Sequence, residues 1–490
     1  MKIFESFKDW LVSWVVVPPM LVDPDDAVIR RHAIVIDNSG MAVPILTQSS
    51  MPLFSLGPKG GALPVVPQAL AAPFVSKSGS AYLSRERRHM SDSQYRKYLQ
   101  VMMANIRQLQ DECPKGVAIV VHGGNERAKK MLDKSIVLRP MILKDGYYPV
   151  FINWDSNMKR AYVEQLLRIR SGLYEKRALT TAPFKLLGDA LQSFANLLPA
   201  WGLQVRLMVR SSRWNTYKTM ENLGRFQPPP PNIEVELGGW RPGWTFWRLL
   251  QLIPAFLFQI LIVLPIVGLW VPRAWDNLLR RVRAMYRAPR EFDPKLADPD
   301  YEMPDGTEFK ARDGAMALFL DELAKTVEQR GMKVTVIAHS MGAMVANEAL
   351  NHASELPYES IVYMAPACGV RKFARAVQPI LERRAGSAEA YVLTLHPRVE
   401  AGQRDLKGWI GGSVLEWLEG ILTPPSTYLD RMLGKWDNVL RTLHIYEPAV
   451  REMIHVKGFP YDGKNRVKPY KHVHFNDEDV PFWTRAFWQP

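Results

Sequence analysis

Cysteine is nearly missing from these 490 residues: there are two, Cys113 and Cys368. Two thiols build neither a disulfide framework nor a four-cysteine zinc site, and a reducing compartment is compatible with so few. Acidic residues are also short, 49 against 63 basic ones, for a net charge of +14. Such an excess raises nucleic acid as a partner. No recognition module for it is present, and the basic residues are scattered apart from one cluster, so nucleic acid is not expected. A positively flanked leader is not expected either. Residues 10–22 are too short to span a bilayer, lack a small-residue cleavage site and follow Glu5 and Asp9. An amphipathic surface helix or a core-packed arm is expected there instead. What is present is an ordinary apolar share, 47%, on a chain long enough for two or three domains.

Strand and helix patterns alternate along much of the chain. "HAIVIDNSGMAVPIL" (32–46) predicts two strands around an Asn-Ser-Gly turn, a hairpin at a sheet edge. Residues 51–80, rich in Pro, Gly, Ala and Ser, predict a loop or linker, and a helix follows over 91–110. Strands are expected in 115–122, 146–157, 333–339, 360–364 and 390–395, separated by helices that include 312–330. That order predicts an α/β fold with a mostly parallel sheet and helices on both faces.

The stretch "KVTVIAHSMGAMVANEAL" (333–350) places Ser340 where an apolar strand turns into a helix, with Ala338 and Gly342 two places to either side. A turn that sharp strains the serine, lifts its hydroxyl off the sheet and leaves its neighbours no room for side chains. The plain alternative is a serine that caps the following helix. The pattern resembles the nucleophile elbow of the α/β-hydrolases, G-x-S-x-G, with Ala for the first Gly. "VVHGGN" (120–125) follows an earlier buried strand. It resembles the HGGG-type oxyanion motif of esterases and lipases, with Asn125 in place of the third glycine. Gly123 and Gly124 would then turn backbone N–H groups inward, and Met341, next after the nucleophile, would supply a second donor. A simple glycine turn is the other possibility.

The superfamily's chain order puts the acid and then the base after the nucleophile. "YKHVHFNDEDVPFW" resembles its histidine loops, with His472 in register and His474 as the near alternative, two residues along on the same strand face. An H-x-H metal pair competes, but no cysteine or carboxylate set completes it. "HPRVEAGQRD", after the strand at 390–395, offers Glu400 at the usual short distance and Asp405 further on, although either could be a solvated loop charge. The carboxylate's work would be to hold the imidazole tautomer and stabilise the imidazolium. The resemblance covers about 115–180 and 306–490, by motif order. It implies a serine esterase or lipase working through an acyl-enzyme, with no cofactor and no metal.

One segment is different in kind. "WTFWRLLQLIPAFLFQILIVLPIVGLWVPRAW" (244–275) exceeds the ~20 apolar residues that a spanning helix needs. Tryptophans at 240, 244, 247, 270 and 275 mark its ends. Arg273, Arg280, Arg281, Arg283, Arg287 and Arg290 lie in or behind it and suit anionic headgroups. The oxyanion glycines precede this segment and the nucleophile follows it, so one sheet must hold both on the same side of a bilayer. Pro254 and Pro265 would break a straight helix, so a re-entrant hairpin or a surface segment is expected, or else an apolar lid over an acyl pocket.

The expected division is an N-terminal arm with hairpin and linker (1–110) and the first half of a hydrolase core (111–180). An inserted cap or lid with the apolar membrane-associating segment (181–305) and the second half of the core (306–490) complete it. The function expected is cleavage of carboxylic esters, of lipid or acyl type, by a protein on the cytoplasmic face of a membrane. An acyltransferase on the same fold and an inactive membrane-bound scaffold are the alternatives. Oligomeric state is not legible.

Overall fold

Valine and isoleucine runs build the centre of the computed structural model. It describes residues 20–47, 90–195, 199–207, 250, 271–288, 312–405, 410–459 and 468–489, with breaks at 168, 171–172, 175–177, 200 and 204. The main sheet uses β1 (Ala33–Ile36), β2 (Ala42–Val43), β3 (Val117–Val121), β4 (Tyr148–Trp154), β5 (Val334–His339), β6 (Tyr358–Met364), β7 (Glu389–Leu395) and β8 (Ile454–Phe459). Their spatial order is β8-β7-β6-β5-β3-β4-β1-β2. The pairs β5–β6, β6–β7, β7–β8 and β4–β1 are parallel, and β2 turns back antiparallel on β1 at the edge. β3, β4 and β5 are buried along their whole length. Continuous apolar runs, rather than alternating ones, belong to strands covered on both faces.

The helices that matter below are α1 (Asp92–Gln108), α2 (Ala128–Lys144), α3 (Met158–Leu167), α4 (Ala178–Ala195), α5 (Val271–Ala284) and α6 (Ala315–Arg330). After Ser340 come α7 (Gly342–His352), α8 (Val370–Arg383) and the short α9 (Pro397–Gly402). α1 starts at a capping box, Ser91 with Gln94. α6 begins at Ala315, three residues later than the sequence pattern suggested. Arg312–Asp313 instead pairs as a small strand with Arg287–Ala288, and Gly314 lies so close to Met285 that a Cβ would meet its carbonyl oxygen at 2.1 Å.

The chain packs as two compact units, Met1–Val120 with Glu126–Asn157 and Arg281–Lys333, and Val121–Asn125 with Met158–Arg280 and Val334–Pro490. In the first, Tyr95 donates from its hydroxyl to Ala315 O, and Tyr148 donates to Arg31 O while accepting from Asn105. In the second, the buried Lys435 ammonium meets Glu416 at 2.9 Å and Glu419 at 3.2 Å. Glu419 also accepts from the Met432 N–H and from Asn438. Both cysteines are buried free thiols. Burial pushes the Cys113 thiol up to about 11 and that of Cys368 to about 12.

Most of the apolar segment 244–275, including Pro254 and Pro265, lies outside the described residues. Among those described, no helix is long and apolar enough to cross a membrane. Its far flank differs from the sequence expectation. Trp275 is buried, not placed at an interface. Arg273 pairs with Asp189, Arg280 with Glu164 and Arg281 with Asp155. Arg280 and Arg281 are buried and, like Arg273, paired with carboxylates of the protein. Arg283 and Arg287 are exposed, and Arg290 lies outside the described residues.

Candidate active site

Ser340 sits between the end of β5 and the start of α7 with φ of 50°, a left-handed conformation that a serine adopts only under constraint. The constraint comes from the backbone. Its N–H donates to Met364 O at 2.9 Å, and its carbonyl accepts from Ala367 N at 2.9 Å and Ala343 N at 3.1 Å. Gly342 has no room to be anything else: a Cβ there would stand 2.6 Å from Val121 O and 2.7 Å from His122 O. The tight strand-to-helix turn expected from the sequence is thus present. The hydroxyl is not exposed, however. Ser340 is only 4% accessible, because the glycine loop and the histidine segment close over it.

The loop of residues 121–125 lies against this turn. A Cβ on Gly123 would meet His339 Nδ1 at 2.7 Å and Ser340 Cβ at 3.1 Å, and one on Gly124 would strike Met341 Sδ at 2.3 Å. Gly123, Gly124 and Met341 are thereby brought together around the serine. His122 Nδ1 donates to Gly123 O at 2.7 Å. A trans peptide points its N–H opposite to its carbonyl, so the Gly124 N–H is turned away from the His122 ring. Asn125 has φ of 63°. Asparagine tolerates that region, which accounts for its presence where the resembling motif has glycine.

His472 is the histidine that reaches the serine. Its Nε2 lies 2.8 Å from Ser340 Oγ, at hydrogen-bonding distance. Burial lowers its pKa to about 4, so the ring is uncharged near neutrality and able to accept a proton. His474 does not take that place. Its Nδ1 accepts from the Tyr470 N–H at 3.4 Å, and its ring lies edge-on to Tyr470. The two histidines share a 3-10 turn, His472–Asn476, rather than one strand face, and this geometry aims them apart.

Two residues that the sequence did not single out hold His472. His339 Nε2 donates to His472 O at 2.9 Å, and Gln403 Oε1 accepts from the His472 N–H at 3.2 Å. The histidine directly before Ser340 was the available signal for the first. Nothing in the sequence marked the second.

Glu400 is buried on α9. It is not a solvated loop charge, because Pro397 opens a helix straight after β7. Its N–H donates to His396 O, and its carbonyl accepts from Ser413 N. The Nδ1 of His472 is buried and has no hydrogen-bond partner among the described residues, so Glu400 is not bonded to it. The side chain of Asp405 lies outside the described residues. Among the described residues no group of three or more His, Cys, Asp and Glu could hold a metal ion. Comparison with protein-family models, with curated proteins and with solved structures finds no match.

Proposed function

We propose that this protein is a membrane-associated serine hydrolase of the α/β-hydrolase type that cleaves carboxylic esters through an acyl-enzyme. One observation carries the proposal: a serine held at left-handed φ on a strand-to-helix turn, its hydroxyl 2.8 Å from a neutral, buried imidazole. Strain at a non-glycine residue costs about 1–3 kcal/mol and persists where function repays it. The nucleophile is Ser340. His472 takes its proton and returns it to the leaving alkoxide. Backbone N–H groups of Gly124 and Met341 hold the oxyanion, with Gly123 leaving the space for it. Glu400 is assigned the acid because it is buried on the helix that follows β7, three residues before Gln403, which accepts from the His472 N–H.

The convergence of serine and histidine argues against an inactive scaffold. The burial of Ser340 favours, as a second reading, acyl transfer to an acceptor other than water, since a closed site keeps water out. Labelling with a fluorophosphonate and mapping the modified peptide tests the shared chemistry. Modification at Ser340 is expected, and a reactive serine elsewhere or none at all would end the proposal. Hydrolysis of a p-nitrophenyl ester, with and without added alcohol acceptors, then separates the two readings.

A further inference from the structure

Within one unit, two helices present opposite faces to water. α8 buries Val370, Phe373, Ala376, Val377, Ile380 and Leu381 and leaves Lys372, Arg375, Glu382 and Arg383 exposed. α4 does the reverse. Asp189 and Ser193 are 2% and 1% accessible, while Phe184, Leu187, Leu191 and Phe194 are 77%, 60%, 63% and 56% accessible. Those four recur at helical spacing, so they form one stripe along the helix. The inversion is anchored. Asp189 meets Lys185 at 2.6 Å and Arg273 of α5 at 3.6 Å, and accepts from the Tyr162 hydroxyl of α3. Arg273 also donates to Gln192 at 2.7 Å. With its polar side tied down, the helix cannot roll its apolar stripe inward. Among the described residues that exposed stripe has no apolar cover.

We propose that the Phe184–Leu187–Leu191–Phe194 face of α4 beds in the acyl region of a phospholipid surface. What favours lipid over a second copy of the chain is where the rest of the chain leads. Residues 251–270 contain no charged side chain and end at Val271, the first residue of α5. Arg273, two residues on, holds Asp189 and Gln192 of α4. The longest uncharged run of the sequence therefore terminates beside the inverted helix, and one apolar medium serves both. An interfacial helix with its apolar side down and its polar side against protein needs no charged face of its own. On its other flank the chain leads toward the acid: Leu203 and Leu207 pack on Ala401, the neighbour of Glu400. A surface that receives α4 thus lies a short stretch of chain from the catalytic machinery.

This inference rests on the membrane-associated half of the proposed function and not on its chemistry. The test is the full-length protein carrying Leu187→Cys labelled with the fluorophore NBD. Val137→Cys, exposed on α2, is the control. Vesicles are phosphatidylcholine alone or mixed with phosphatidylglycerol. At position 187 the emission is expected to shift to the blue and to be quenched by spin-labelled lipid, with neither change at 137. A second variant, Leu187→Glu with Leu191→Glu, should keep the far-UV circular dichroism and lose on the order of tenfold in vesicle partition. A water-like signal at 187 on protein that still floats with vesicles would overturn the inference while leaving membrane association standing. Failure of the wild type to float with either vesicle would remove both. If the double variant instead dissociates a dimer with partition unchanged, the stripe belongs to a second copy. Hydrolysis of a soluble ester, run on the same samples, reports the chemistry independently.

Discussion

Ser340 and His472 meet at 2.8 Å but are held there by different means. The serine is fixed by main chain: three backbone hydrogen bonds through its own N–H and carbonyl, with Gly342 pressed against the carbonyls of Val121 and His122. The histidine is fixed by side chains. His339 binds its carbonyl, Gln403 binds its N–H, and its Nδ1 has no partner among the described residues. Backbone contacts survive most substitutions, whereas side-chain contacts can be lost one at a time. The position of Ser340 is thus a property of the fold, and that of His472 is a property of a few residues. Fold and catalysis should be separable by mutation.

The sharpest break is chemical. Ser340→Ala and His472→Ala should each lower kcat/KM for a p-nitrophenyl ester by about 10⁵-fold or more, since the pair acts as one unit. His474→Ala should stay near wild type. The opposite result for the two histidines would show that the base is chosen two residues along. Next in size is the acid. If Glu400 closes on His472 Nδ1 during turnover, Glu400→Gln should cost about 10³–10⁴-fold and Asp405→Asn little. Equal mild losses would place the acid elsewhere.

The difference between the two supports is read by a third pair of variants. His339→Ala should lower kcat on the order of 10–100-fold with KM little changed, and the melting temperature should move little. Gly342→Ala should instead lower the melting temperature, because its Cβ has no space beside Val121 and His122. If His339→Ala unfolds the protein and Gly342→Ala is silent, the distinction is void. The smallest effect is in pH. With burial holding His472 at about 4 rather than 6.5, the acid limb of the kcat/KM profile should fall below pH 5, not near 6.5. The same shift makes stability pH-dependent. Unfolded imidazole takes up a proton below 6.5 and the folded ring does not until about 4. Stability present above 6.5 is therefore lost progressively across that window. His32, likewise lowered to about 4 by burial, adds to the same slope, and denaturant titrations between pH 7 and pH 4 would measure it.

Much of the sheet was legible because its strands are apolar runs that only a doubly covered position explains: β3, β4, β5, β6 and β7 all fall where the pattern placed them. The serine turn was legible for a similar reason, since Ala338 and Gly342 report missing space. Side-chain direction was not. Whether His472 or His474 faces Ser340 depends on a 3-10 turn, which two-residue spacing does not encode. The arginines after the apolar segment were assigned to headgroups because their carboxylate partners, Asp155, Glu164 and Asp189, lie about eighty or more residues away in sequence. The inversion of α4 was hidden likewise. Composition alone does not say which side of a helix faces water.

The φ of 50° at Ser340 is a strain that glycine at that position would relieve. Glycine pays no Cβ penalty in that region, although it gives the unfolded chain more freedom. Ser340→Gly should therefore melt higher than Ser340→Ala, which keeps the strain and also lacks the hydroxyl. The gap between these two variants measures what a side chain at that φ costs the fold. Selection of this protein for thermal endurance alone would be expected to replace Ser340 early.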